Sequence, residues 1–134
     1  MKTEAQVSRA SLDSRPFEFQ NWPVYKRAVL VAKEAQKFCL AVPKNGNLSL
    51  CDQFKRASQS VVLNIAEGSS RTSTKDKVNF VRVAKGSVFE CAAIVDLAYE
   101  FELLDREKHA AFQDALANIG RMLSGLIRYL DKQQ

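Results

Sequence analysis

The sequence predicts an all-α fold, an antiparallel up-down-up-down four-helix bundle. Apolar residues recur at intervals of three and four residues over four long segments, which is the pattern of helices with one buried face. Short turn sequences separate these segments, and no stretch alternates with a period of two for long enough to indicate a strand. The 134 residues suit one domain. We expect residues 21–134 to form the bundle and residues 1–20, which lack helical periodicity, to form a flexible N-terminal arm.

The first two helices have recognisable boundaries. The first is predicted over Val24–Val42, because Asn21 can cap a helix and Pro23 is tolerated in a first turn. The second is expected to begin at a Ser49 cap and to end at Gly68, since glycine commonly follows the last helical turn. Their predicted apolar faces are Ala28, Val31, Ala32, Ala35, Phe38 and Cys39, and then Leu50, Phe54, Ala57, Val61 and Ile65.

The last two helices begin at residues that can accept capping hydrogen bonds. Ser73, three residues before Asp76, predicts the start of a third helix that runs unbroken to Leu104. Asp105 is expected to cap the fourth, over about residues 107–130. Their predicted apolar faces are Val81, Ala84, Val88, Cys91, Val95 and Ala98, and then Ala111, Leu116, Ile119, Leu123, Leu126 and Leu130.

The net charge of +5 at pH 7 is concentrated in one window, residues 54–85. This window has seven basic residues against Glu67 and Asp76, and the rest of the chain is balanced. A local cationic excess of this kind indicates an anionic partner, and we predict RNA or another nucleic acid bound through phosphate contacts. The seven candidate binding residues are Lys55, Arg56, Arg71, Lys75, Lys77, Arg82 and Lys85.

The predicted topology also implies that the two ends of the bundle carry opposite charge. If the helices alternate in direction, the start of the first, the turn between the second and third, and the end of the fourth meet at one end. This basic end would collect Lys26, Arg27, Arg71, Lys75, Lys77, Arg82, Arg128 and Lys132. The acidic residues of the other end would be Glu90, Asp96, Glu100, Glu102, Asp105 and Glu107.

Two readings remain open for the turn GSSRTSTKDK at residues 68–77. Unpaired backbone N–H groups and the positive dipole at the start of the third helix, next to Arg71, Lys75 and Lys77, favour a bound phosphate. A solvated and well-capped turn is the structural alternative.

Three residues inside the predicted helices suggest packing roles. Asn64 lies among apolar neighbours, so its amide needs a partner, and a carboxylate such as Glu67 or Glu90 is a candidate. A polar pair that fixes helix register is favoured there over a ligand site. Gly86 and Ser87 interrupt the third helix, where glycine would permit close approach of another helix.

The sequence gives little support for an enzyme, and we expect no catalytic residues, no metal and no cofactor. His109 is the single histidine, and the carboxylates lack the Glu-x-x-His spacing of di-iron bundles. The three cysteines, Cys39, Cys51 and Cys91, lack zinc-site spacing and are predicted to be buried reduced thiols. No segment is apolar enough for a transmembrane helix or a signal peptide, which predicts a cytoplasmic location.

The chain resembles a known family through two motifs. NIAEG at residues 64–68 follows FKRASQSVV, and NFVRVAKGSVFE follows a charged turn. Together they are similar to the four-helix-bundle proteins of intervening sequences in 23S ribosomal RNA genes, once labelled ribosomal proteins. The accessory variability determinant of diversity-generating retroelements is a related bundle. The resemblance covers residues 24–130 and implies architectural roles for Asn64, Glu67, Gly68, Gly86, Ser87 and Glu90.

The resemblance further implies a non-enzymatic homo-oligomer, typically a pentamer, whose basic surface engages nucleic acid. For the retroelement relative it implies contact with a reverse transcriptase. Two functions stay open: an RNA-binding scaffold, and a protein-interaction module that docks onto a partner enzyme. Because Phe54, Phe80 and Phe89 fall at core-like positions, we expect little base stacking and low sequence specificity.

Overall fold

The computed structural model describes residues 15–133, and these form a four-helix bundle. A short 3-10 helix, Glu18–Asn21, precedes α1 (Pro23–Ala41), α2 (Leu48–Ser69), α3 (Thr74–Glu100) and α4 (Arg106–Asp131). The described residues contain no strand, so the predicted all-α class is confirmed. Residues 1–14 of the predicted arm lie outside the described residues, whereas residues 18–20 belong to the 3-10 helix.

Two of the four predicted helix caps are confirmed. Ser73 Oγ accepts a hydrogen bond from the Asp76 backbone N–H at 3.0 Å, at the start of α3. Asp105 Oδ1 accepts one from the Lys108 N–H at 2.8 Å, at the start of α4. In both cases the side chain satisfies a donor that the first helical turn leaves unpaired.

The caps predicted for the first two helices are wrong. Trp22 precedes α1, and Asn21 instead closes the 3-10 helix, where its amide donates to the Arg15 carbonyl at 3.2 Å. Pro23 is the first residue of α1, a position where its missing N–H has no cost. α2 begins at Leu48, before Ser49, and the flanking Asn47 makes no side-chain capping bond.

The predicted end of α3 at Leu104 is also wrong, because the helix stops at Glu100. Glu102 adopts a positive φ of 61°, its N–H donates to the Tyr99 carbonyl at 3.0 Å, and the Leu103 N–H donates to the Ala98 carbonyl at 2.8 Å. These two bonds form a Schellman motif, which usually places glycine at the position that Glu102 occupies. The break therefore carries no glycine or proline signal.

Gly68 does not end α2, contrary to prediction, since the helix continues through Ser69. Gly68 is instead buried against α3, where a Cβ atom would lie 3.0 Å from the Cβ of Phe80. Its role is close packing of two helices.

The core is a single apolar cluster along the inner faces of the four helices. Phe54 is fully buried between Phe38 and Phe112, with ring centroids 6.0 Å and 5.3 Å away and both contacts edge-on. The predicted apolar faces of α1 to α3 are buried or half-buried throughout, and Ala111 on α4 is exposed.

Contacts along the helices fix their register. From the end of α2 towards its middle, Ser69 meets Lys77 of α3 and Ser60 meets Ser87. Between α3 and α4, Arg82 meets Asp131 and Asp96 meets His109. In each pair of helices the contacts run in opposite order along the chain, so the first half of α3 lies beside both the end of α2 and the end of α4.

Candidate nucleic-acid interface

The turn between α2 and α3 places three predicted cations together, which we call the basic turn: Arg71, Lys75 and Lys77. The Arg71 guanidinium lies 3.5 Å from the Glu67 carboxylate and 4.6 Å from the centroid of the Phe80 ring. Lys77 Nζ donates to the Ser69 carbonyl at 3.3 Å and so closes the end of α2. Lys75 is exposed. Two of the three cations therefore have structural contacts as well as positive charge.

Lys55 and Arg56 do not join the basic turn. Arg56 precedes Ser69, the last residue of α2, by thirteen residues, about 20 Å along the helix at 1.5 Å per residue. Lys55 Nζ also lies 3.9 Å from the Asp52 carboxylate. The seven predicted binding residues thus do not form one patch, even though the sequence places them in one window.

A second cationic surface lies between α3 and α4, and we call it the α3–α4 groove. Its volume is about 590 Å³, within the range of pockets that bind small ligands. Val88, Ala92, Leu116, Ala117 and Gly120 supply apolar lining. Three cations, Lys85, Arg121 and Arg128, also line the groove, and its lining includes no acidic residue.

Only two of these cations were expected to contribute to a basic surface. Lys85 belongs to the predicted window, and Arg128 belongs to the predicted basic end. Arg121 was missed, although it lies seven residues before Arg128 and therefore on the same side of a helix. Arg82 approaches Asp131 at 3.8 Å beside this surface.

The sequence predicts core positions for Phe54, Phe80 and Phe89, and the structure does not place all three in the core. Phe54 is fully buried, and Phe80 is half-buried beneath Arg71. Phe89 is 65% exposed and lines the α3–α4 groove, with Lys85 Nζ 5.9 Å from its ring centroid. The expectation of a core position is wrong for Phe89, because Val88 takes the buried site beside it.

The residues of the two family motifs divide between the interior and the outer surface. Asn64 Nδ2 donates to the Ser60 carbonyl at 2.8 Å and to Ser60 Oγ at 3.0 Å, so the predicted carboxylate partner is wrong. Ser60 Oγ in turn lies 2.8 Å from Ser87 Oγ, which joins α2 to α3 through hydroxyl groups. Glu67 and Glu90 are exposed.

Gly86 does not interrupt α3 and lies on its outer surface. A Cβ atom added there would meet nothing within 4 Å, so no helix of the described chain makes the close approach predicted for it.

A larger groove of about 840 Å³ lies between α1 and α4. Apolar residues such as Leu30, Phe38 and Phe112 line it, and charges of both signs surround them. Arg27, which was assigned to the basic end, lines this groove, as do Glu34 and Asp105. Its mixed charge makes it a weaker candidate for nucleic acid than the α3–α4 groove.

Two buried thiols, those of Cys39 and Cys91, have raised pKa values. Burial raises the pKa of Cys91 to about 12, with a further contribution from the charge of Glu90. Burial also raises the pKa of Cys39 to about 12, and its Sγ donates to the Cys51 carbonyl at 3.6 Å. His109 is half-buried, and its Nε2 lies 2.9 Å from Asp96 Oδ1.

Residues 15–133 contain no cluster of three or more potential metal ligands. No helix in this part of the chain is long and apolar enough to cross a membrane.

The fold and the sequence motifs identify the family. Residues 20–125 match the family model of the 23S rRNA-intervening sequence proteins, and the chain belongs to this family. The fold is similar to that of a protein of unknown function from the S23 ribosomal protein family of Bacteroides thetaiotaomicron. That crystal structure has a TM-score of 0.71 and 20% identity, covering 78% of this chain and 97% of the other. No curated protein matches.

Proposed function

We propose that the protein is a non-enzymatic, oligomeric scaffold that binds RNA or another nucleic acid through phosphate contacts with low sequence specificity. The observation that carries the proposal is the α3–α4 groove, whose lining has three cations and no acidic residue. Lys75 of the basic turn is exposed and adds to the same field. The three buried free thiols suit the reducing cytoplasm, where we place the protein.

Assembly would convert a weak contact into a useful affinity. One protomer offers only a few phosphate contacts, which supports weak and salt-sensitive binding. Several copies on one strand repeat those contacts, and each later contact forms at high effective concentration. We therefore propose a homo-oligomer, a pentamer by family resemblance.

Salt dependence tests the phosphate mechanism directly. We expect the affinity for a fluorescent single-stranded RNA to fall as salt rises, with a slope of about 0.7 per phosphate contact in a logarithmic plot. The double variant Arg121→Gln/Arg128→Gln should lower the magnitude of that slope by about 1.4 per protomer, because two contacts are lost. Fluorescence anisotropy over a salt series measures both.

A charge-matched control separates the groove from overall charge. Lys33 and Arg106 are exposed and lie outside the α3–α4 groove, so Lys33→Gln/Arg106→Gln removes the same charge elsewhere. Its slope should equal that of the wild type. An affinity that does not change between dilute and moderate salt would refute phosphate contacts.

The second candidate function is a protein-interaction module that docks onto a partner enzyme such as a reverse transcriptase. The α1–α4 groove favours it, since an apolar surface with a mixed-charge rim suits a protein segment. A pull-down at high salt after nuclease treatment distinguishes the candidates. A protein partner retained under these conditions would favour docking, and its loss with nuclease would favour RNA binding.

A further inference from the structure

Phe89 is unusual because a large apolar ring in the middle of a long helix faces away from the core. It is 65% exposed, whereas the neighbouring Val88 is buried at 3%. The ring lies at the α3–α4 groove, beside Lys85. Its exposed face is therefore available to a flat ligand.

The charges around this ring are suited to a polyanion. Arg121 and Arg128 are two turns apart on α4, about 10 Å along its axis, and Lys85 belongs to α3. Two acidic residues near these side chains, Asp96 and Asp131, are already engaged. Asp96 accepts from Gln113 at 2.9 Å and meets His109, and Asp131 meets Arg82.

We infer that the α3–α4 groove binds single-stranded nucleic acid, with one base stacked on Phe89 and adjacent phosphates bound by Lys85, Arg121 and Arg128. This inference rests on the nucleic-acid binding proposed above, and it adds a base contact and a preference for unpaired strands. Bases in a duplex are already stacked on both faces, so they cannot cover the Phe89 ring. Stacking tolerates any base, which agrees with low sequence specificity.

The charge of the groove favours this occupant over a second copy of the chain. A copy seated there would have to bring carboxylates to three cations, or bury those cations unpaired at a high cost. A strand brings a phosphate with every base and covers the apolar ring at the same time. One ligand then contacts both the three cations and the exposed ring of Phe89.

The test compares single-stranded and duplex RNA of one sequence at fixed salt. Phe89→Ala should weaken binding of the single strand by about 5- to 150-fold, the range expected for one stacked base, and leave weak duplex binding unchanged. Phe89→Trp should retain the affinity, because indole also stacks. A 2-aminopurine placed in the strand should lose fluorescence on the wild type and on Phe89→Trp, but not on Phe89→Ala.

Phe101→Ala is the matched control. Phe101 is 56% exposed at the end of α3 and does not line the groove, so its removal should leave strand affinity unchanged. Titration of a free mononucleotide, followed by NMR, separates a strand from a single nucleotide as the ligand. We expect the mononucleotide to bind with a dissociation constant of about 1 mM or higher, since it makes only one phosphate contact.

Each contrary outcome has a distinct meaning. If Phe89→Ala binds the strand as tightly as the wild type, the stacking inference is wrong while the phosphate proposal stands. If the wild type binds no RNA even in dilute salt, the stacking inference and the phosphate proposal are both wrong. If Phe89→Ala instead turns an oligomer into monomers in sedimentation, Phe89 is a self-association contact and the inference is overturned. Tight binding of the free nucleotide would show that the ligand is a small molecule and not a strand, which overturns the inference.

Discussion

Gly68 and Gly86 have opposite packing environments, which makes them a pair of internal controls. A Cβ at Gly68 would lie 3.0 Å from the Cβ of Phe80, and a Cβ at Gly86 would meet nothing within 4 Å. Alanine is the better helix former by about 1 kcal/mol at either site. Crowding costs about 1 to 3 kcal/mol where the neighbouring helix must move.

We therefore predict that Gly86→Ala raises the free energy of unfolding by about 1 kcal/mol and that Gly68→Ala lowers it by about 1 kcal/mol. Urea denaturation followed by circular dichroism, at low protein concentration, measures both changes. Equal stabilisation by the two variants would show that Phe80 yields without cost. A loss of stability in Gly86→Ala that grows with protein concentration would show that a second copy packs on Gly86.

The buried thiol of Cys91 should make the free energy of unfolding fall as the pH becomes alkaline. Its pKa is raised from 9.0 to about 12, so the folded protein holds the thiol proton more tightly than the unfolded chain does. The resulting stabilisation is complete below pH 9 and is lost as pH rises from 9 towards 12, at up to about 1.4 kcal/mol per pH unit. Urea denaturation across this range should show a shallower decline for Cys91→Ala. Parallel curves for the two proteins would contradict the prediction.

At the scale of elements, the end of α3 has the most informative local geometry. Glu102 holds a left-handed conformation with a φ of 61° that glycine adopts without steric cost. Glu102→Gly should raise the free energy of unfolding by about 1 kcal/mol, because that conformation costs other residues about 1 to 2 kcal/mol. Thermal or urea denaturation measures the change.

Glu102→Ala is the control for this prediction. It removes the carboxylate but keeps a Cβ atom, so it should give no comparable gain. If alanine and glycine stabilise equally, the effect arises from charge and not from the backbone.

Helix boundaries were predictable where a side chain determines them and not elsewhere. Ser73 and Asp105 bond to backbone N–H groups three residues ahead, and such a local interaction is visible in the sequence. The break after Glu100 depends on backbone bonds to Ala98 and Tyr99, and no side chain takes part in them. Glycine at position 68 suggests a helix end, but the reason for glycine there is that Phe80 of α3 leaves too little space for a Cβ atom.

At the scale of the whole molecule, apolar side chains on the outer faces of α2 and α3 support self-association. Leu63, Val83 and Leu97 are each exposed by 44% or more. Single exposed apolar residues are normal, but several on neighbouring helices favour an interface. These exposed apolar side chains are the physical reason to expect an oligomer.

We predict sedimentation as a species larger than a monomer at micromolar concentration. Leu63→Glu/Val83→Glu should shift the protein towards monomers, because carboxylates would be buried at the interface. Leu40 on α1 is 70% exposed, and Leu40→Glu is the control that should leave the assembly intact. A wild type that sediments only as a monomer would refute the oligomer.

The candidate site was only partly predictable because it depends on helix register. The charge excess lies in one window of the sequence, but the length of α2 within that window separates Lys55 and Arg56 from the basic turn. Periodicity alone also could not decide whether Val88 or Phe89 faces the core, since both are apolar neighbours. Arg121 became part of a site only once α4 was placed beside α3.

The burial of all three cysteines has a practical consequence for testing where a strand or a second subunit binds. The chain contains no other cysteine, and none of the three is accessible in the folded state. A cysteine introduced at an exposed position, such as Lys75 or Ala117, would then be the single reactive thiol. One spin label or photocrosslinker per protomer could therefore report where a strand or a neighbouring subunit lies, without first removing any native residue.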